Sequence, residues 1–508
     1  LVGYQVRFDD CTSSSTQIKY LTDGCLLREF IDDPELLDYS IVVLDEAHER
    51  SLDTDILFGL IKRLFIAKSS KTTTRKHPLK IIVMSASLNH KKFSKFFGSC
   101  PVLEIPGRTF PVKNVYCNHI GKDSINTPNY LTKAVNKAMT IHTECPSGHI
   151  LLFLTGQDEI ERCCDQLFEK AENLDYRYDV CSHDVDAMLV LPLYGSMSTE
   201  LQKRVFAPVE DGVRKVVVAT NIAATSLTIE GIRYVIDCGF VKQLSFNPRT
   251  GLDSLNIVLI SQSEALQRAG RAGRTTEGIC YRLYTRDVYD DVMSAETAPE
   301  IQRTNLAKVV LYLKTMGIHD VIRFDYIDPP EEKMVMEAVK QLYILGALDR
   351  DGGITAIGHN MVLFPLSPCL SRILLASLEF NCVESILIIV AMLSVEDVFL
   401  RPGDRKKFSK ASKVWAELAA SAGGNNDFLT LLYVFEECFR SVEPAKWCRE
   451  HFLHWRAVKT AANILEQLKS IMQRQKMEEN SKKPTRQKSN KEAILKALCQ
   501  GLFHNTAR

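Results

Sequence analysis

The run Ile41-Val42-Val43-Leu44-Asp45-Glu46-Ala47-His48 places two adjacent carboxylates and an imidazole directly after an apolar stretch. The apolar residues predict a buried strand, and ligands of open α/β sheets bind outside the carboxyl ends of strands. A carboxylate there can hold hydrated Mg²⁺, and its neighbour can take a proton from water. Asp45, Glu46 and His48 are therefore candidate catalytic residues, with Asp45 and Glu46 as candidate metal ligands of a nucleotide site.

A second candidate group is the run Gln267-Arg268-Ala269-Gly270-Arg271-Ala272-Gly273-Arg274. Arginines at a spacing of three, separated by small residues, bring guanidinium groups close to one ligand. Guanidinium forks match phosphate oxygens, and arginine neutralises the charge of a phosphoryl-transfer transition state. The alternative is an ordinary solvated basic helix start.

Polar residues also follow other apolar runs that predict strands. These runs are Ile81–Met84, ending in Ser85-Ala86-Ser87; Ile150–Leu154, ending in Thr155-Gly156-Gln157; Lys215–Ala219, ending in Thr220-Asn221; and Tyr234–Asp237. Strands that alternate with helical patterns predict an α/β fold with parallel, doubly wound sheets. The stretch Phe240–Ile260 alternates around Asn247-Pro248-Arg249-Thr250-Gly251 and predicts a β-hairpin.

Composition narrows the class of protein. The 508 residues imply several domains, and 45% hydrophobic with 25% charged residues is typical of soluble globular chains. A net charge of +1 argues against a broad nucleic-acid-coating surface but leaves room for a basic channel. The 15 cysteines form no C-x-x-C pair, which disfavours zinc and redox motifs and indicates the reducing cytoplasm or nucleus. The longest apolar run is too short to span a bilayer, so no membrane association is expected.

Several motifs together resemble those of the DEAH-box RNA helicases, superfamily-two enzymes of the splicing-helicase type. Asp45–His48, Ser85–Ser87 and Gln267–Arg274 resemble motifs II, III and VI. Further matches are Thr22–Glu29 with an RNA-contact motif of the first lobe, Phe153–Ile160 with motif IV and Ala219–Ile229 with motif V. Trp447-Cys448 and His454-Trp455-Arg456 are most like the subgroup called DEAH-box helicase forty. The resemblance covers essentially the whole chain.

The resemblance implies an ATP-dependent RNA helicase, in which ATP with Mg²⁺ binds between two RecA-like lobes and hydrolysis drives translocation on RNA and its unwinding. Asp45 would hold Mg²⁺ through water, Glu46 would act as the base and His48 would couple the site to the second lobe. Gln267 would orient the attacking water, and Arg271 and Arg274 would be arginine fingers on the γ-phosphate.

The resemblance also implies the nucleotide contacts. Phe206 would stack on adenine, although a plain core aromatic is the alternative. Thr228 and Glu230 would face the ribose and phosphates, with Glu230 where many relatives have Asp. Ser85 and Ser87 would form an interlobe hydrogen bond. The family usually has Thr at the position of Ser87.

Candidate RNA contacts lie at strand ends and in turns. They are Thr22, Asp23, Gly24, Thr155, Gly156, Gln157, Thr220 and Asn221. Hydroxyl, amide and backbone N–H groups there suit sugar–phosphate contacts, and the alternative is ordinary turn and N-cap chemistry. The hairpin would be a strand-separating wedge or, alternatively, a surface ribbon.

The expected domains follow from these motifs. Residues 1–108 would be a partial first RecA-like lobe, 109–290 a second lobe with the hairpin, 291–360 a winged helix and 361–480 a ratchet-like helical bundle. Residues 481–508 would be a linker and the start of an OB-fold. No G-x-x-x-x-G-K-[ST] run is present, since the one Gly-Lys pair, Gly121-Lys122, precedes Asp123. The chain is therefore expected to be truncated at both ends.

Two further functions stay open. A truncated, non-catalytic RNA-binding or scaffold product is the alternative to an enzyme, and a DNA helicase would use similar backbone contacts. The expected partners are single-stranded RNA and a glycine-rich-patch activator protein. The protein would act as a monomer or within a ribonucleoprotein complex, in the nucleus or the cytoplasm.

The missing phosphate-binding loop yields a first prediction. This 508-residue chain alone should hydrolyse ATP poorly or not at all, because backbone N–H groups of that loop cradle the phosphates. A radiolabelled ATPase assay with added RNA measures this. Turnover comparable to that of a version with the loop would contradict the expectation.

Overall fold

The apolar run before Asp45 forms a strand, Ile41–Leu44, in the computed structural model. It pairs in parallel with Lys80–Val83, with Val42 opposite Ile81. Val42 and Leu44 are buried whereas Ile41 and Val43 are exposed, because successive side chains of a strand point to opposite faces. The two carboxylates therefore stand at the carboxyl end of a parallel strand, as the sequence predicts.

The structure describes residues 1–67, 78–86, 90–107, 110–118, 129–176, 178–181, 184–195, 197, 199–224, 228–402, 405–424, 426–478 and 490–503. The chain divides into two compact units. The first unit comprises Leu1–Ala86 with Asn305–Arg508, and the second comprises Ser87–Thr304. The domain boundaries expected from sequence stay predictions.

The amino-terminal part of the first unit contains short sheets and amphipathic helices. Its strands are β1 (Val2–Val6), β2 (Asp9–Asp10), β3 (Ile18–Leu21), β4 (Ile41–Leu44) and β5 (Lys80–Val83), and its helices are α1 (Asp23–Asp32) and α2 (Leu52–Ala67). Strand β1 pairs antiparallel with β2 and parallel with β3, and β4 pairs with β5.

The second unit is built around a six-stranded sheet. Its strands are β6 (Val112–Tyr116), β7 (His149–Phe153), β8 (Ala187–Leu193), β9 (Val213–Ala219), β10 (Ile232–Asp237), β11 (Phe240–Asn247), β12 (Leu252–Leu259) and β13 (Gly278–Arg282). Its helices are α3 (His90–Phe96), α4 (Tyr130–Glu144), α5 (Gln157–Glu172), α6 (Thr199–Phe206) and α7 (Gln262–Gly270). The sheet order is β6-β13-β10-β7-β9-β8, and every pairing in it is parallel.

Both faces of this sheet are covered, which explains why its strands are nearly continuous aliphatic runs. Helices α4 and α5 supply the core on one face, and α6 and α7 contribute to the core on the other. The predicted α/β class with parallel, doubly wound sheet is confirmed. Strands β11 and β12 form the predicted antiparallel hairpin, and Gly251 takes the left-handed conformation in its turn.

The remaining elements of the first unit are helical. They are α8 (Ala307–Thr315), α9 (Glu332–Ile344), α10 (Ala356–Val362), α11 (Pro368–Glu379), α12 (Val383–Leu393), α13 (Arg405–Ser421), α14 (Asp427–Arg440), α15 (Pro444–Glu450), α16 (Trp455–Glu478) and α17 (Lys491–Leu502). A small antiparallel bridge joins Leu348 and Ile354 between α9 and α10. Within the described parts of the chain, no helix combines the length and apolar character of a membrane span.

Helix α2 packs against the segment that follows α8. Lys62 contacts Asp325 at 2.7 Å, and a Cβ atom built on Gly59 would approach the Phe324 ring to 2.4 Å and the Asp325 carbonyl oxygen to 2.7 Å. Only a glycine permits this approach, because the closest atoms belong to a buried ring and to the backbone. The amino-terminal elements and the carboxyl-terminal helices are therefore packed together within one unit.

This close approach predicts the effect of Gly59→Ala. The substitution should lower the free energy of unfolding by about 1–3 kcal/mol through overpacking, despite the better helix propensity of alanine. Thermal unfolding followed by circular dichroism measures the shift in midpoint. The matched control is Gly107→Ala, where an added Cβ atom meets nothing within 4 Å. Equal midpoints for the two variants would contradict the packing argument.

Candidate active site

The two carboxylates at the end of β4 lie in a tight turn with unusual backbone geometry. Glu46 has φ 48° and ψ 38°, and its N–H donates to Asp45 Oδ1 at 2.8 Å. The buried Ala47 donates its N–H to the Met84 carbonyl at 3.0 Å, which ties the turn to the end of β5. A left-handed conformation at a non-glycine residue persists only where the surroundings hold it. The turn therefore fixes two neighbouring carboxylates at the strand end.

His48 connects this turn to the next strand end. Its Nδ1 lies 3.3 Å from Glu46 Oε2 and 3.3 Å from Ser85 Oγ. The structure thus brings together three residues that the sequence predicted for the site: Glu46, His48 and Ser85. Ser87, the other predicted serine, lies outside the described residues.

Asp45 and Glu46 suit a weakly coordinated magnesium ion. Mg²⁺ keeps several waters and is usually bound through one or two carboxylates together with substrate phosphates. Across the described ranges, no group of three or more His, Cys, Asp or Glu side chains could form an all-protein metal cage. The exposed Asp45 and the half-exposed Glu46 are the oxygen donors such an ion requires.

Arg50 anchors the other end of the turn. Its guanidinium donates to both Asp55 carboxylate oxygens, at 2.6 and 3.0 Å, and contacts Asp328 at 2.8 Å. Burial alone would lower the pKa of Arg50, but the carboxylates of Asp55 and Asp328 raise it, so the group stays charged. Sequence reasoning assigned no role to Arg50, because Asp328 is remote along the chain.

In the second unit, Arg268 is the most deeply buried charge at the carboxyl end of the sheet. Its side chain has no solvent-exposed surface, and Nη1 donates to Asp237 Oδ1 at 2.6 Å. Nε and Nη2 donate to Asn221 Oδ1 at 3.0 and 2.6 Å, and Nη2 also reaches the Phe240 carbonyl at 3.1 Å. Burial would lower the pKa of Arg268, but Asp237 raises it.

Arg271 and Arg274 contact the same loop, the one that joins β9 to β10. Arg271 Nη2 donates to the Ala224 carbonyl, and Arg274 Nη1 donates to Thr228 Oγ1. Together with the Arg268–Asn221 contact, three arginines spaced by three residues meet the loop at positions 221, 224 and 228. We call these three contacts the arginine ladder. Gln267 lies beside it on α7 and is half-buried.

The predicted nucleotide residues Phe206 and Glu230 lie at the opposite, amino-terminal end of the sheet. Both line a cavity of about 480 Å³ beside the first residues of β7, β9 and β10. Phe206 is 41% exposed, which disfavours the alternative of a plain core aromatic. His149 also lines the cavity, and burial, together with the charges of Lys215 and Arg214, lowers its pKa to about 4. Thr228 is held by Arg274 and is not part of the cavity lining.

The predicted RNA residues of the first unit surround the start of α1. Thr22 directly precedes the helix, and its hydroxyl donates to Cys25 Sγ at 3.2 Å. Asp23 Oδ2 accepts hydrogen bonds from the hydroxyls of Ser51 and Thr54. A Cβ atom on Gly24 would lie 2.8 Å from an Asp53 carboxylate oxygen, so α1 packs closely on α2. Asp23 and Gly24 therefore serve helix packing in this structure.

The predicted RNA residues of the second unit lie at the carboxyl ends of β7 and β9. The buried Thr155 donates its hydroxyl to Glu159 at 2.6 Å, which is the turn chemistry given above as the alternative. The exposed Gln157 begins α5, directly after Gly156. The N–H of Thr220 donates to the Leu193 carbonyl at 3.1 Å, and Asn221 Nδ2 donates to Glu264 at 3.2 Å.

The contacts of Arg268 predict a large effect of removing it. Arg268→Met should leave Asp237 buried and unpaired and reduce the stability of the second unit by about 3–5 kcal/mol. The matched control is Arg286→Met, because Arg286 is 77% exposed and pairs with its helical neighbour Asp290. Thermal unfolding should show a large decrease in midpoint for the first variant and little change for the second. Equal midpoints would refute the structural role of Arg268.

Comparison with known proteins agrees with this geometry. Three family models match: the helicase conserved C-terminal domain at residues 133–276, and the winged-helix and ratchet-like helicase associated domains (HA2) at residues 338–366 and 367–431. The chain is 51% identical, over all 508 residues, to the proteins named "Probable ATP-dependent RNA helicase DHX40" of Homo sapiens, Pongo abelii and Rattus norvegicus. It spans 65% of the length of each of these relatives. The Asp45-Glu46-Ala47-His48 turn and the arginine ladder thus lie in a chain that matches helicase domain models and is half identical to proteins named as ATP-dependent RNA helicases.

Proposed function

We propose that this protein is an ATP-dependent RNA helicase that couples ATP hydrolysis to movement along RNA and to its unwinding. The observation that carries the proposal is the arginine ladder. The ladder lies at the carboxyl end of the sheet, where the predicted RNA contacts of the second unit are found. Its three arginines bond the loop between β9 and β10, and this loop continues to Glu230, which lines the cavity. One helix and one loop therefore connect the two groups of predicted ligand contacts within the second unit.

The first unit supplies the proposed acid–base chemistry. Glu46 takes the proton from the attacking water, and His48 holds the Glu46 carboxylate in place through their 3.3 Å contact. Asp45 binds the ion through its exposed carboxylate. Mg²⁺, when bound, neutralises charge on the phosphate oxygens. Because Asp45 also accepts the Glu46 N–H, the two carboxylates are held in one fixed relation.

The second unit supplies the proposed charge stabilisation. Gln267 orients the water, and Arg271 and Arg274 neutralise the γ-phosphate. In the structure these two arginines bond the Ala224 carbonyl and the Thr228 hydroxyl, so the ladder holds Arg274 against one predicted nucleotide residue, Thr228. They would exchange these internal partners for phosphate oxygens. Arg268, which is fully buried, stays in place as the anchor.

RNA is the proposed nucleic-acid partner, held through its backbone. The exposed Gln157 at the start of α5, with Gly156 and Thr220 nearby at strand ends, offers amide, hydroxyl and N–H groups that suit sugar–phosphate contacts. The near-neutral net charge of the chain agrees with a narrow channel that grips a single strand. A glycine-rich-patch protein is the proposed activator.

Glu46→Gln tests the proposed chemistry. The substitution keeps size and hydrogen bonding but removes the base, so RNA-stimulated ATP turnover should fall by about 100-fold or more while RNA affinity stays unchanged. Phosphate release and fluorescence anisotropy of labelled single-stranded RNA measure the two quantities. The assays use this chain and the chain extended by the family's phosphate-binding segment.

The matched control for this experiment is Glu466→Gln, which removes a carboxylate from an exposed ion pair on α16. It should leave turnover and RNA affinity unchanged. Undiminished turnover in Glu46→Gln would reject Glu46 as the base. RNA binding without hydrolysis in both forms of the protein would favour the non-catalytic RNA-binding product instead, and stronger stimulation by single-stranded DNA would indicate a DNA helicase.

A further inference from the structure

Lys215 is one of two buried cations, with Arg214, at the start of an apolar strand. It is the third residue of β9, its neighbours Val216, Val217 and Val218 are fully buried, and Lys215 itself is only 3% exposed. Lysine is almost never fully buried unless its charge is compensated. Throughout the described residues, no carboxylate lies within 4 Å of its ammonium group. The charge must therefore be compensated in another way.

Two backbone carbonyls provide this compensation. Lys215 Nζ donates to the Val205 carbonyl at 3.0 Å and to the Ala207 carbonyl at 2.6 Å. These two carbonyls flank Phe206, the last residue of α6. The last carbonyls of a helix lack intrahelical partners and carry partial negative charge, so a cation at this place is favourable. Lys215 thus clamps the backbone on both sides of one aromatic residue.

The clamp belongs to the same cavity as the predicted nucleotide contacts. Lys215, Phe206 and Glu230 all line the space of about 480 Å³ at the amino ends of the strands. Burial lowers the pKa of Lys215, and the negative charge of Glu230 opposes that effect. The ammonium group therefore acts on the surroundings of both predicted contacts. It bonds the carbonyls of the two residues beside Phe206, and it interacts at longer range with the charge of Glu230.

We propose that Lys215 is a positioning residue for the base of a purine nucleoside triphosphate, since it fixes the direction in which the Phe206 ring projects into the cavity. The inference rests on the proposed function, because the nucleotide is what Phe206 would stack against. A half-exposed aromatic ring at a helix end has several accessible orientations. A backbone held on both sides of Phe206 fixes the point and the Cα–Cβ direction from which its ring extends, so less backbone freedom is lost when a flat base binds.

Lys215→Met tests this role, because methionine keeps the length and apolar stem but cannot donate to the two carbonyls. KM for ATP should rise about tenfold, and kcat should change less than about twofold, in whichever of the two forms (this chain or the extended chain) hydrolyses ATP. This pattern is expected when a binding interaction is lost. Hydrogen exchange of the backbone amides of residues 206–212, measured by mass spectrometry on the 508-residue chain, should become faster. Lys215→Arg keeps the charge and the donors and should restore part of the affinity.

The matched control is Lys203→Met, which removes the same charge from the last turn of α6 at an exposed position. It should change neither KM nor hydrogen exchange. An unchanged KM together with unchanged exchange in Lys215→Met would overturn the inference, as would equal effects of Lys203→Met. If the wild-type protein shows no ATP turnover in either form, the proposed function itself is rejected. Faster exchange in Lys215→Met would then show that Lys215 stabilises the end of α6 and has no role in nucleotide binding.

Discussion

The buried ion pair between Arg268 and Asp237 is the interaction on which the second unit depends. One guanidinium contacts the end of β10, the loop after β9 and the first carbonyl of the hairpin, while its own backbone belongs to α7. Removing both charges from water is unfavourable, and the pair is tolerated because its hydrogen bonds are satisfied. The position of α7 on the sheet is consequently determined by charge pairing as well as by apolar packing.

This constraint organises the rest of the site. Because Arg268 is fixed against Asn221, Arg271 and Arg274, three and six residues later, reach Ala224 and Thr228 of the same loop. That loop runs from the carboxyl end of β9 to the amino end of β10, so residues at opposite ends of the sheet are linked by one segment.

The sequence predicts the parts of this structure that depend on local patterns. The aliphatic runs of β4, β7, β9 and β10 indicate their strands, and Asn247-Pro248-Arg249 indicates the hairpin turn. The motif resemblance draws attention to Phe206, whose role as an adenine contact stays a prediction. Its exposed position in the structure agrees with that interpretation.

The contacts that sequence reasoning missed have no signature in a local sequence motif. Asp328 compensates Arg50, and the carbonyls around Phe206 compensate Lys215, yet no local pattern connects either pair. A signal was nevertheless present for Lys215, since a charge inside an aliphatic strand run requires a specific partner. Thr155 shows the opposite case, because its hydroxyl completes the turn before α5 and local capping chemistry suffices to explain it.

The first unit is assembled from both ends of the chain, with the second unit inserted between them. Helix α2 relies on Phe324 and Asp325 for its packing, and Arg50, already paired with Asp55, gains a second carboxylate partner in Asp328. During synthesis, α2 and Arg50 therefore gain these contacts only after residues 324–328 have been made, whereas the inserted unit needs no residue beyond Thr304.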